Sequence, residues 1–166
     1  MKNSYEGGCL CGAVRYLARD QPIRTIACHC RFCQRVTGSA LNVEAIFRKA
    51  SVTFTRGEPR MFAHRSEGSG KMVYVHFCGE CGTNVSLTFD RFPDARAIMR
   101  GTLDDPNGVR VDAHIFTRTA QVGMVLPANV DCFDEHRLDL EGSPRVPATY
   151  DRPREVGASR RSAPGR

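Results

Sequence analysis

No apolar run in this chain of 166 residues approaches the roughly 18 residues of a membrane-spanning helix, and tryptophan is absent altogether. The opening residues, MKNSYEGGCL, lack the apolar stretch of a secretory signal. A cytoplasmic location is therefore expected, without a membrane partner, and thiols there stay reduced. Helical periodicity is weak throughout, and neither a repeat nor a heptad pattern occurs. Several catalytic signatures are also missing. There is no H-x-E beside a P-C-x-x-C, as a nucleobase deaminase requires. A two-histidine metalloprotease motif, a glycine-rich phosphate loop and a G-x-S-x-G elbow are absent too.

What the chain does have is eight cysteines and an uneven net charge of +6. The final stretch, DRPREVGASRRSAPGR, sets five arginines against Asp151 and Glu155 and has few large apolar groups. Such a composition cannot bury enough surface to fold alone. The expected organisation is one domain over 1–148 and a basic, flexible tail over 149–166. Short segments rich in Val, Phe, Tyr and Thr read as strands at 13–18, 40–47, 52–56, 71–77, 85–89, 97–101 and 113–117. EGSG at 67–70 reads as a hairpin turn and DDPNG at 104–108 as another turn. Short helices are expected after Cys33 and within 132–139. The fold class is mostly β.

Seven of the eight cysteines fall in three groups: Cys9 and Cys11 in C-x-C, Cys28, Cys30 and Cys33 in CHCRFC, and Cys78 and Cys81 in CGEC. Residues two apart on a strand point to the same face, so C-x-C offers two sulfurs to one point. A C-x-x-C in a tight turn does the same, and Gly79 and Gly82 permit the positive φ such a turn can need. Zinc takes four ligands in a tetrahedron. Two bidentate pairs complete a closed site, and a triad leaves one position open. That arithmetic suggests Cys9, Cys11, Cys78 and Cys81 around one structural zinc, and Cys28, Cys30 and Cys33 around a second, reactive one. Spacing alone leaves other arrangements open: disulfides, a second structural zinc completed by His29 or a remote residue, or one zinc with free reactive thiols. Cys132 stands apart and reads as a buried or incidental thiol.

Three thiolates blunt zinc as a Lewis acid, so hydrolysis is not the natural chemistry of an open three-sulfur site. A soft site prefers a soft fourth ligand, another thiol, and keeps it as the reactive thiolate. Arg15, Arg31 and Arg35 flank the cysteines and can attract an anionic thiol, or serve simply as solvated surface charge. Thiolate addition to a carbonyl also moves a proton. His29, His114, Asp104 and Asp105 are the candidate donors, and none is assigned. His29 is expected to point away from its neighbouring thiols. The aspartates are expected to shape a turn, and Thr37 and Ser39 to cap a helix.

GGCLCGAVRY, CHCRFCQRVTGSA, FCGECGT, GTLDDP and HIF, in that order from about residue 4 to 117, resemble the glutathione-dependent formaldehyde-activating enzymes and their centromere-protein-V-like relatives. The resemblance implies small stacked antiparallel sheets around zinc, a β-tent-like fold with little helix, and two Zn²⁺ per chain. By position, Cys9, Cys11, Cys78 and Cys81 match the structural zinc ligands, and Cys28, Cys30 and Cys33 match the catalytic ones. The implied activity is a carbon–sulfur lyase type, condensing glutathione with formaldehyde to S-hydroxymethylglutathione. The family often follows HI[FW] with Pro-Trp, whereas this chain reads HIFTRTAQVGM. The rival reading is a non-catalytic zinc module for a protein or nucleic acid partner, with the basic tail making contact.

Overall fold

The computed structural model describes residues 4–157. The chain is mostly β, and its described strands form sheets of three, eight and two strands. Its strands are β1 (Ser4–Gly8), β2 (Arg15–Arg19), β3 (Arg24–Cys28), β4 (Asn42–Arg48), β5 (Val52–Arg56), β6 (Arg60–Arg65), β7 (Met72–Phe77), β8 (Asn84–Phe89), β9 (Ala95–Met99), β10 (Ala113–Ile115), β11 (Val125–Leu126), β12 (Asp131–Cys132) and β13 (Arg154–Glu155). One α-helix, α1 (Arg31–Thr37), and four 3₁₀ turns complete the described residues. Contacts divide the chain into two units, residues 4–25 with 43–111 and residues 26–42 with 112–157.

In the first unit β1, β2 and β5 form an antiparallel sheet, and β4, β9, β8, β7 and β6 lie side by side in that order, all antiparallel. Alternation explains the flanking strands: β1 buries Tyr5 and Gly7, and β2 buries Tyr16 and Ala18. The central β8 buries four successive residues, Val85 to Thr88, because both its faces are covered. Tyr5, Tyr16, Phe47, Val85, Ile98, Leu103 and Val109 make one apolar cluster with Cys9 and Cys78, and the Tyr5 and Phe47 rings meet at 5.5 Å.

Gly7 lies where two backbones approach. It bridges to Leu103, and a Cβ built on it would sit 2.3 Å from both the Thr102 carbonyl oxygen and the Tyr16 hydroxyl. That hydroxyl is hydrogen-bonded to Thr102 Oγ1 at 2.8 Å. Glycine in a strand normally weakens it. Here it is the only residue that fits without moving Tyr16.

The second unit departs from the antiparallel rule. β10 runs parallel to both β3 and β12, with His114 opposite Ala27 on one side and Cys132 on the other. The helix expected in 132–139 does not form. Its backbone donors go to other segments instead: Cys132 N–H to the Ala148 carbonyl at 2.9 Å and Phe133 N–H to the His114 carbonyl at 2.8 Å. Glu135 is paired with Arg118 and, at 2.8 Å, with Arg145. Within the segment read as a tail, β13 pairs antiparallel with β11, and residues 158–166 lie outside the described residues.

Strands β2, β4, β5, β7, β8, β9 and β10 fall on the segments expected from composition, and the 67–70 turn is closed by Ser66 N–H to Lys71 carbonyl at 2.9 Å. β1, β3 and β6 had no clear signal. β1 ends in Gly-Gly, β3 lacks clean alternation, and β6 is exposed almost throughout.

Gly7→Ala should destabilise the protein by about 1–3 kcal/mol, the usual cost of overpacking. Gly68→Ala, with nothing within 4 Å of its Cβ, should be near neutral. Urea midpoints of the two variants check this pair, and equal midpoints would refute the close-approach account.

Candidate metal centres

Cys9, Cys11, Cys78 and Cys81 belong to the first unit, and all four sulfurs lie within 4.8 Å of one another. Two similar backbone loops present them. In the first, Cys9 N–H bonds the Val14 carbonyl, Gly12 N–H bonds the Cys9 carbonyl at 3.1 Å, and Gly12 has φ +76°. In the second, Cys78 N–H bonds the Thr83 carbonyl, Gly82 N–H bonds the Cys78 carbonyl at 3.0 Å, and Gly82 has φ +72°. Glycine takes this left-handed conformation without strain. Gly79 does not adopt it, and a Cβ there would instead meet the Arg60 side chain at 2.7 Å.

The contacts fit a metal better than a covalent bridge. Cys9 and Cys11 Sγ are 3.5 Å apart, and Cys11 and Cys78 Sγ are 3.7 Å apart. A disulfide needs about 2.05 Å. Four sulfurs at about 2.3 Å from a central zinc would be separated by roughly 3.8 Å. None of the eight cysteines is in a disulfide. The loops also supply donors that favour thiolates: Val14 N–H points at Cys9 Sγ at 3.2 Å, and Thr83 Oγ1 lies 3.2 Å from Cys81 Sγ. The Thr83 hydroxyl and N–H hold Cys81 down to about 5. Cys11 is pushed up to about 12, because the Ala13 N–H that favours its thiolate is outweighed by the Cys81 and Cys9 sulfurs. Sulfurs in contact cannot all ionise unless a cation compensates them.

Cys28, Cys30 and Cys33 form the second group, again within 4.8 Å, in the second unit. Cys28 ends β3, opposite Ile115 of β10. Cys30 is the N-cap of α1, its sulfur accepting from Cys33 N–H at 3.3 Å, and Gly38 closes the helix in the left-handed conformation. Cys28 and Cys33 are buried, and Cys30 is half-exposed. Hydrogen bonding from Cys28 and Cys33 holds Cys30 down to about 3. Among the described residues no fourth His, Cys, Asp or Glu ligand atom joins this group. His29 therefore does not complete it.

The segment between the ligands is held by polar side chains that spacing did not reveal. Gln34, buried on α1, donates to the His29 carbonyl at 2.6 Å and to the Thr119 carbonyl at 2.9 Å. Thr119 Oγ1 donates to the same His29 carbonyl at 3.0 Å. The Gln34 side-chain oxygen accepts from Arg31 and from Gln121. Gln34 appears in the sequence as an ordinary helix residue, so only its burial marks it.

The other expected residues sort plainly. His29 is fully buried, with Nε2 3.0 Å from His114 Nδ1 and the rings stacked. Burial, then His114, pulls His29 down to about 4. Asp104 is in the first unit, in a two-bond pair with Arg15, and Asp105 accepts from Asn107 N–H to shape the 104–108 turn. Thr37 bonds the Cys33 carbonyl at 2.7 Å and accepts from Ser39 N–H, closing the helix end. Cys132 is buried, its sulfur near the Val130 carbonyl. No helix among the described residues is long and apolar enough to cross a membrane.

Residues 4–119 match the family model described as glutathione-dependent formaldehyde-activating enzyme. No curated protein matches this chain. Among solved structures, the chain is similar to a Rhodobacter sphaeroides protein from structural genomics, at 21% identity and a TM-score of 0.48, covering 63% of this chain and 90% of that one.

Cys81→Ser should lower the thermal midpoint and the solubility of the protein, because a structural metal site contributes folding energy directly. A chelator should act on the wild type in the same direction. A cooperative, fully stable variant would refute a structural role for the four-sulfur group.

Proposed function

The chain belongs to the glutathione-dependent formaldehyde-activating enzyme family, and on that footing we propose that it joins a thiol of the glutathione class to formaldehyde or a related small aldehyde. A bond forms between sulfur and the carbonyl carbon, the thiol proton ends on the carbonyl oxygen, and the reverse reaction is a carbon–sulfur lyase step. Cys9, Cys11, Cys78 and Cys81 would hold a structural zinc, and Cys28, Cys30 and Cys33 a catalytic one. When bound, the catalytic zinc would supply a soft centre that keeps the substrate sulfur in its thiolate form.

One observation carries this reading: three sulfurs converge with no fourth side-chain ligand among the described residues. A closed site would serve structure alone. The chain's own contribution is positioning. Gln34 and Thr119 fix the His29 carbonyl between the first two ligands, and α1 fixes Cys33 relative to Cys30. Arg31 and Arg35, both exposed on α1, put positive charge beside the triad and favour an anionic thiol.

Wild-type protein should bind about two zinc ions, and Cys30→Ala about one with its fold kept. Metal analysis beside circular dichroism checks both. Turnover is read as the rate above the spontaneous glutathione–formaldehyde reaction. The variant should lose that excess, while removal of residues 158–166, which leaves β13 in place, should not. Unfolding of Cys30→Ala would contradict a catalytic triad, and binding of glutathione without acceleration would contradict an enzyme.

A further inference from the structure

Arg31 follows Cys30 directly and opens α1. The first turn holds no acid, and a cation there is opposed by the helix dipole. Arg35 lies in the last turn, where the same dipole favours positive charge. Helix energetics therefore account for Arg35 and leave Arg31 without a local reason. Arg31 is exposed, and among the described residues no carboxylate pairs with it.

Its guanidinium is nonetheless held in place. Nη1 donates to the Gln34 side-chain oxygen, which also accepts from Gln121 Nε2 at 3.3 Å. The Gln34 amide nitrogen donates in turn to the His29 carbonyl at 2.6 Å, between Cys28 and Cys30. One buried amide thus stands between the guanidinium and the peptide that joins two sulfurs of the triad. A long arginine side chain loses rotamer freedom when it grips a ligand, and the Gln34 contact takes up part of that loss beforehand. Nε and Nη2 have no partner among the described residues. Together they form an edge of the planar guanidinium that matches a carboxylate with two parallel hydrogen bonds. Arg35 has no such tie among the described residues.

We propose that Arg31 is a specificity-determining residue that receives a carboxylate of the substrate thiol, so that the triad selects thiols of the glutathione class over uncharged ones. This inference rests on the reading of the triad given above. Glutathione sets its carboxylates several bonds away from its sulfur. One molecule can therefore place sulfur at the triad and a carboxylate on the residue beside Cys30. An uncharged thiol has nothing to offer the Nε–Nη2 edge.

The test uses the zinc-loaded full chain at constant ionic strength, with glutathione and its dimethyl ester as calorimetric probes. Wild type should bind glutathione more tightly than the ester. Arg31→Gln should weaken glutathione binding by about tenfold, the scale of one lost charge-assisted contact, and leave binding of the ester as it was. Arg31→Lys should recover part of the loss, because an ammonium restores the charge without the fork. Arg35→Gln should cost less than Arg31→Gln. In turnover the loss should fall on the KM for glutathione rather than on kcat. Metal analysis of Arg31→Gln should find zinc at the wild-type level. Wild-type glutathione affinity in Arg31→Gln, equal weakening of glutathione and ester, or loss of zinc from that variant would each overturn the assignment. Glutathione held through Arg31 without acceleration of its reaction would instead overturn the proposed reaction and uphold the carboxylate contact.

Discussion

Repulsion among crowded sulfurs is the constraint on which the two centres depend. Four thiols in one group and three in another are held within 4.8 Å of each other by backbone that offers them N–H donors. Those donors favour the thiolate, and neighbouring thiolates disfavour each other. The conflict is visible in the opposite shifts of Cys81 and Cys11. A divalent cation held at either place would resolve it. The loops, their left-handed glycines and the buried Gln34 node keep the sulfurs at distances that suit a central ion.

The two groups meet that constraint with different backbones. The four-sulfur group uses two loops of the same design, with Gly12 and Gly82 in matching roles. It is seated in the apolar cluster through Cys9 and Cys78, so its geometry is tied to the packing of Tyr5, Tyr16 and Phe47. The triad uses a strand end and the first turn of a helix. Its rigidity comes from polar contacts to residues 114–121, where the chain departs from the Pro-Trp the family often carries.

How much of this was legible follows from the range of each interaction. The cysteine groups were readable because chelation by C-x-C and C-x-x-C is local. The strands over 52–56, 71–77 and 85–89 were readable from their β-rich composition. The helix expected in 132–139 failed because its donors were claimed by Ala148 and His114, partners far along the chain. The His29–His114 contact joins residues 85 apart, and no periodicity foretells it. Arg96 looks like an exposed charge in ARAIM, and only the coverage of β9 makes it a buried one. Gly7 and Gly8 carry no strand signal of their own, yet they end β1 at positions whose neighbours leave no room for a Cβ.

The spans that the two centres close are very unequal. Cys11 and Cys78 meet across 67 positions, whereas Cys28 to Cys33 is a single turn of chain. Loop-closure entropy grows as about 1.5 RT ln n, which makes the longer closure costlier by roughly 2 kcal/mol. The short triad is thus nearly assembled in any conformation the peptide visits. The tetrad exists only once two distant segments have docked. An ion lost from the triad would slacken one helical turn, and an ion lost from the tetrad would free a span approaching half the polypeptide.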